Sequence, residues 1–479
     1  MKLNKYQDIY LIGIGGIGMS ALARYFISKD KMVSGYDAVR SDLCIELEKE
    51  GVKIHYDASV NKIPEKLKKK SYAEGLIIYT PAVDKSNIEL SYFIKNNIPL
   101  FKRSEVLGMI SKEYYTIAIA GTHGKTTTTC LLTHILKYSG KACTAFLGGI
   151  SKNYNTNFIL GKDDEVLIVE ADEYDRSFLN LHADIAVITS IESDHLDIYK
   201  DCEELSDAFI EFVSNMKSTS TLILEDNVAK NFDVERKGQI VFSYSSNQDC
   251  VANYCIEDIK TEGYNTRFKV KYFNTLLGNF KSSLLDKDAV YNVCDHEMVL
   301  NMPGEHNISN ALAAIAVCDC LNISFKNIAD AITSFHGIKR RYEIQIDREN
   351  LVFIDDYAHH PEEIKATINT TKILFPGRKI TVLFQPHLFS RTKFFLNEFA
   401  IALSLASEII LLDIYPAREQ PIPGITSDLL LEKCNLKYKE ISDKSQLLKL
   451  IRNKDLDILL TLGAGDISTL IQPIKHMLN

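Results

Sequence analysis

Residues 115–129, YTIAIAGTHGKTTTT, set an apolar strand, a glycine turn and a helix start end to end. In that order the N–H groups of the turn, a lysine ammonium and a hydroxyl converge on phosphate oxygens and a divalent cation. Gly121, Thr122, His123, Gly124, Lys125, Thr126 and Thr127 are therefore candidate nucleotide-binding residues. The run departs from the common GxxxxGK[ST] pattern, because position 119 is Ile rather than Gly. Its GKT core still points to a nucleoside triphosphate.

The same strand-into-turn pattern recurs along the chain. IYLIGI runs into glycines and a helical stretch from Ser20 to Lys29, followed by LIIYT (76–80) and IPLFK (98–102). EVLIVEAD (165–172) and IAVITS (185–190) follow the GKT turn, with helical patterns near 308–335. LVFIDDY, KITVLF, EIILLDI and DILLTLGAGD then alternate with polar helical segments. Strands alternating with helices predict α/β domains with parallel sheets. At 479 residues the chain suits about three domains, and the pattern breaks at 1–110, 111–337 and 338–479. Residues 240–300 read as β-rich but irregular, and no strand is assigned there.

Composition narrows the function classes. A formal charge of -8 argues against a general nucleic-acid surface, so any phosphate site must be built locally. No stretch reaches ~18 apolar residues, and the glycine-interrupted start is no signal peptide, so the expectation is a cytoplasmic protein without membrane contact. Ten cysteines without a CxxC pair suit reduced thiols, with Cys318 and Cys320 packed in a helical core.

Two further clusters carry chemistry. Gly13, Gly15, Gly16 and Gly18 lie at the first strand-to-helix turn, and Asp37 follows where a ribose-binding carboxylate would sit. Taken alone, the turn fits a dinucleotide, another phosphate ligand or a tight structural turn. Glu170, Asp172, Glu173 and Asp175 end one strand, while Asp194, His195 and Asp197 follow the next. Such positions suit Mg²⁺ beside ATP, or else solvated carboxylates and a packed histidine. No CxxC or HExxH supports zinc.

The motifs GIGGIGMS, GTHGKTTTT, VEADEYD, SIESDHLD, PGEHNISNALAA, GIKRRYE and DDYAHHPEEI follow one another from residue 11 to about 363, and FQPH, PIPG and GAGD continue to 466. Together they resemble the Mur ligases. The resemblance implies a Rossmann-like N-terminal domain for a uridine diphosphate sugar, a central P-loop ATPase domain and a Rossmann-like C-terminal domain for an amino acid. It redirects the turn from Gly13 to Gly18, with Asp37, from NAD to the UDP-sugar. It also assigns Lys125 to the β- and γ-phosphates, Thr126 and Glu170 (rather than Glu173) to magnesium, and His195 to a second metal position. Asn307 and Asn310 are implied to contact adenine, with helix capping as their alternative. Arg341 is implied to reach the γ-phosphate and Asp356 the ribose, while His359, His360 and Arg391 belong near the amino acid. Leu388 departs from the family's arginine in FQPHRYSRT, and Ala358 from its glycine.

The implied reaction joins L-alanine to the lactyl carboxylate of UDP-N-acetylmuramate through an acyl phosphate, a step in peptidoglycan precursor and cell-wall synthesis. The double-glycine first turn favours this activity over the family's tripeptide-recycling branch. Lys125, Arg341 and His195 are the expected catalytic residues, with the proton acceptor open among His195, His359 and a carboxylate. Two other readings remain: an NAD-dependent dehydrogenase built on the first turn, and a non-catalytic, nucleotide-gated sensor. A monomer or homodimer acting on small molecules is expected.

Overall fold

Short apolar runs bounded by glycine turns become central strands, because both faces of a parallel sheet are covered by helices and bury such runs completely. The computed structural model describes residues 3–162, 166–192, 199, 201–232, 239–273, 291–417 and 419–479. It is a mixed α/β chain in two compact units: Met1–Thr261 with Thr266–Asn301 and Glu305–His336, and Gly337–Asn479 with Glu262–Asn265 and Met302–Gly304.

The first unit holds two sheets. Strands β1 (Asp8–Ile12), β2 (Met32–Tyr36), β3 (Lys53–His55), β4 (Gly75–Tyr79) and β5 (Leu100–Lys102) form a parallel sheet in the order β3-β2-β1-β4-β5. The second sheet centres on β6 (Tyr115–Ala120), flanked by β9 (Val166–Glu170) and β10 (Ile185–Ile188). Beyond β9 lie β7 (Cys143–Ser151) and its antiparallel partner β8 (Thr156–Ile159). Beyond β10 lie β11 (Thr221–Glu225), β12 (Ile240–Ser245) and β13 (Tyr254–Glu262), all parallel. The sheet closes on β14 (Asn265–Tyr272), which pairs antiparallel with β15 (Asn292–Val293) and β16 (Met298–Leu300).

One hydrophobic core runs through both sheets of this unit, from Ile9 and Leu11 to Leu167, Val169 and Phe209. The helix Ile17–Ser28 joins them: its Tyr25 ring lies 5.6 Å from Phe146 and 6.3 Å from Phe158. Cys318 is buried in the helix Glu305–Cys320, where burial pushes its thiol well up, while Cys320 at the helix end is half-buried.

In the second unit, β17 (Glu343–Arg348) runs antiparallel to β18 (Leu351–Asp356), and parallel strands β22 (Ile458–Leu462), β19 (Ile380–Phe384), β20 (Glu408–Leu411) and β21 (Lys439–Ile441) follow in that order. Helices cover both faces and enclose two cores, one around Ile354, Val382 and Leu460, the other around Phe353, Leu383 and Leu459. Among the described residues no helix is long and apolar enough to cross a membrane.

Candidate functional site

In open α/β sheets ligands gather at the carboxyl ends of the strands, and three such edges carry the candidate residues. At the end of β6 the turn places Gly124 at φ +81 as the N-cap of the helix Lys125–Tyr138. This left-handed conformation suits glycine, and a Cβ there would lie 2.2 Å from Asn310 Oδ1. Ser190, just beyond β10, fixes the turn by accepting from the His123 N–H at 3.0 Å and pairing with the Thr122 hydroxyl at 2.9 Å.

Lys125 is held from several sides. Its ammonium donates to Gly121 O at 2.6 Å and lies 2.8 Å from the fully buried Glu173 carboxylate. Burial works against the charged amine, but Glu173, Asp172 and Glu170 outweigh it and hold the lysine above its ordinary value. Thr126 points the other way, donating to Glu170 Oε1 at 3.2 Å. A Cβ on Gly148 of β7 would stand 2.0 Å from Glu170 Oε2, so only glycine leaves that carboxylate its place.

The structure thus separates the two glutamates: Glu173 pairs with Lys125, and Glu170 with Thr126. The Thr126–Glu170 pair is made of oxygen donors, which suits a hard cation such as Mg²⁺. Among the described residues no group of three or more His, Cys, Asp or Glu could hold a metal. Mg²⁺ takes few protein ligands and completes its shell with phosphate and water. Asp194, His195 and Asp197 lie outside the described residues.

Asn307 and Asn310 are buried within the helix Glu305–Cys320 rather than capping it. Asn310 Oδ1 accepts from Thr128 at 3.4 Å, and its amide faces Asn307 Oδ1 at 3.4 Å. Asn310 therefore stands against the phosphate turn, with Asn307 beside it.

At the first glycine turn, Asp37 accepts from the Gly15 N–H at 2.7 Å and the Val39 N–H at 3.0 Å, so its carboxylate braces the turn. The N–H groups of Gly13 and Ile14 donate to Tyr36 O, and Gly16 caps the helix Ile17–Ser28. Motif reading missed two neighbours of this turn. Arg103 Nη1 lies 2.7 Å from where a Gly18 Cβ would be, and Nη2 is 3.9 Å from Asp172. Its companion Lys102 pairs with Asp175 at 2.8 Å, so this basic dipeptide ties the first turn to the acidic loop after β9. In that loop Asp175 and Arg176 take φ +54 and +52, a strained conformation of the kind found at functional sites. The available signal was a Lys-Arg pair closing a strand at a ligand-binding edge. Asn157 is the second miss: its buried amide donates to Ile17 O at 2.6 Å and Ser20 Oγ at 2.9 Å, fixing the helix start on β8. Nothing in its sequence context marks it.

In the second unit, Asp355 and Asp356 end β18. Arg340 binds Asp355 at 3.0 Å and donates to Gly463 O at 2.6 Å. Asp356 accepts from the Thr367 hydroxyl at 2.8 Å and the Ala358 N–H at 3.2 Å. Glu363 gathers the neighbours: it accepts from the N–H groups of His359 and His360 and faces Arg341 at 3.7 Å. His360 caps the helix Pro361–Leu374 and packs its ring against Phe395, while His359 Nδ1 lies 3.0 Å from Tyr357 O. Arg391 is buried in the helix Phe389–Phe394. Leu388, just before it, is buried with φ +71, an unusual backbone for a branched side chain.

Burial pushes the Asp356 carboxyl up to about 6, against the pull of Arg341 and Thr367. Its folded value lies above the unfolded ~3.9, so the folded chain binds this proton more tightly. The resulting stability is complete below about pH 4 and is lost as pH rises through 6, by up to about 3 kcal/mol. Asp356→Asn should therefore raise the Tm at pH 8 and change it little at pH 4. An equal shift at both pH values would contradict the burial argument.

Family models match three consecutive stretches: the "Mur ligase family, catalytic domain" over residues 8–115, the "Mur ligase middle domain" over 119–318 and the "Mur ligase, glutamate ligase domain" over 340–465. The chain belongs to the Mur ligase family. Among Mur ligases it is 45% identical over 480 residues to a UDP-N-acetylmuramate–L-alanine ligase of Flavobacterium johnsoniae, covering 100% of this chain and 99% of the relative. It is 43% identical over 478 residues to the enzyme of the same name from Cytophaga hutchinsonii, covering 99% and 97%. The crystal structure of the Thermotoga maritima UDP-N-acetylmuramate-alanine ligase matches with a TM-score of 0.78 at 27% identity, over 98% of each chain. A murein peptide ligase of Psychrobacter arcticus shares the Mur ligase fold with a TM-score of 0.72 at 22% identity, also over 98% of each.

Proposed function

We propose that this Mur ligase joins L-alanine to the lactyl carboxylate of UDP-N-acetylmuramate, converting ATP to ADP and phosphate in peptidoglycan precursor synthesis. The observation that carries the reading is identity of 43–45% along essentially the whole chain to ligases of that name. The phosphate turn gives it chemistry. A carboxylate is a poor acyl donor, so its oxygen attacks the γ-phosphorus and an acyl phosphate forms as ADP leaves. The alanine amine then attacks the acyl carbon, and phosphate departs.

Lys125 offsets charge on the phosphoryl group in flight, with Arg341 as a second cation on the same group. Mg²⁺, when held by Thr126 and Glu170, would neutralise phosphate oxygens, and His195 is kept as a second-metal and catalytic candidate. Gly121 to Thr127 cradle the phosphates, Asn307 and Asn310 contact adenine, and Asp356 the ribose. The turn from Gly13 to Gly18, braced by Asp37, receives the UDP-sugar diphosphate beside Arg103. His359, His360 and Arg391 serve the amino acid. A dehydrogenase would leave Lys125 and its carboxylates without a use. A cytoplasmic setting follows from the nucleotide substrates.

The test offers the purified chain ATP, Mg²⁺, UDP-N-acetylmuramate and one amino acid at a time. ADP release that needs both co-substrates, fastest with L-alanine, is the expected result. ADP release without an amino acid would support the sensor instead, and ligation of a tripeptide alone would support the recycling branch. Glycine or L-serine should be accepted measurably, since a small apolar pocket discriminates a methyl group by only ~1–3 kcal/mol. With Leu388 in place of arginine, Arg391 grips the alanine carboxylate without a second guanidinium. Leu388→Arg should therefore lower the KM for L-alanine. An unchanged KM would show that position 388 does not reach the substrate.

A further inference from the structure

Ten cysteines are free, and Cys250 and Cys255 bring their sulfurs into contact, with Sγ–Sγ at 3.0 Å. Cys250 lies in the connection from β12 to β13 and Cys255 in β13 itself, the fourth strand from β6 and its phosphate turn. The two sulfurs differ in setting. Cys250 is half-buried, whereas Cys255 is fully buried. The Cys255 sulfur also faces Ala252 O at 3.4 Å, and Lys271 anchors the same loop by donating to Gln248 O at 2.7 Å. A disulfide needs sulfurs about 2.05 Å apart, so closing the pair asks each sulfur to move by only about half an ångström. The six-residue ring it would close is local and leaves the sheet register untouched.

We propose that Cys250 and Cys255 form a reversible dithiol–disulfide pair that takes hydroperoxides as its oxidant. Cys250 is the attacking sulfur, since it is the accessible one. The contact with the Cys255 sulfur outweighs burial and draws the Cys250 thiol below its ordinary value, while the same contact and its own burial push Cys255 up. The thiolate is the reactive form, and a lowered thiol yields it more readily. The Cys250 thiolate attacks one peroxide oxygen: an S–O bond forms, the O–O bond breaks, and hydroxide leaves and is protonated to water. Cys255 then attacks the Cys250 sulfenic sulfur, forming S–S and breaking S–O, and its proton leaves with the hydroxyl as a second water. The two thiols lose two electrons and the peroxide gains them. An external dithiol returns the pair to its reduced state.

Both cysteines lie in one tryptic peptide, Gly238–Lys260, and chymotrypsin can cut between them after Tyr254. The full-length protein is treated with one equivalent of hydrogen peroxide, alkylated and mapped. The expected product is that tryptic peptide lighter by two hydrogens, with chymotryptic fragments joined until dithiothreitol is added. In Cys255→Ser the same treatment should leave a sulfenic acid on Cys250 that dimedone traps, and in Cys250→Ser position 255 should stay unmodified. Sulfinic acid on Cys250 in the unmutated protein, or oxidation of the exposed Cys202 before this pair, would overturn the proposal. The unmutated protein decides the matter even if a variant fails to fold.

Discussion

Lys125→Ala should lose ligation by at least about 10³-fold, because it removes the cation that offsets charge on the transferring phosphoryl group. The structure adds a second cost. The substitution takes the ammonium away from the fully buried Glu173 carboxylate, and breaking a buried pair on one side costs about 3–5 kcal/mol. Inactivity of the single variant would therefore mix lost chemistry with lost stability. Lys125→Met combined with Glu173→Gln removes both charges and should recover most of the denaturation midpoint while remaining inactive. A double variant that regains ligation would contradict the role of Lys125 in catalysis. One that stays as unstable as Lys125→Ala would contradict the energetic account of the pair.

Gly148→Ala is expected to act on the same site from a neighbouring strand. Its new Cβ would fall 2.0 Å from Glu170 Oε2, so the carboxylate must leave its position facing Thr126. If Thr126 and Glu170 together hold Mg²⁺, this single methyl should cut kcat by about 10²-fold and raise the Mg²⁺ concentration needed for half-maximal rate. Glu170→Gln should do the same without any added bulk. Agreement between the two variants would place the defect at the carboxylate. A normal Mg²⁺ requirement in both would remove Glu170 from the metal site, whatever happened to the rate.

Much of this arrangement is legible in the sequence because it depends on local order. A buried parallel strand is a short apolar run, and the turns that bind phosphate need glycine and Lys125 at fixed offsets, so the α/β class and the phosphate turn follow directly. The pairing of Lys125 with Glu173 is not legible, since the partners are separated by 48 residues and meet only because β6 and β9 are neighbours. The same holds for Arg103 against Asp172 and for Asn157 against the start of the helix Ile17–Ser28, contacts between a first-sheet segment and the central sheet. The stretch 240–300 resisted reading because its strands mix parallel and antiparallel pairing and leave much of β13 exposed. One signal was present there: Thr266, Phe268 and Val270 alternate with half-buried neighbours along β14, the two-residue period of a strand with one covered face. Asn307 and Asn310 show the opposite failure, since residue type alone suits both a cap and a ligand contact, and only their buried places inside the helix Glu305–Cys320 set the cap aside.

The central claim is that the sugar's carboxylate attacks the γ-phosphorus of ATP before alanine enters. It can be tested by following one oxygen atom. UDP-N-acetylmuramate labelled with ¹⁸O in its lactyl carboxylate is incubated with the enzyme, ATP, Mg²⁺ and L-alanine, and the inorganic phosphate is examined by mass spectrometry. If an acyl phosphate forms, one labelled oxygen must leave with phosphate for each amide made, with ADP as the nucleotide product. Unlabelled phosphate, or release of AMP and pyrophosphate, would contradict the mechanism even if the amide were formed.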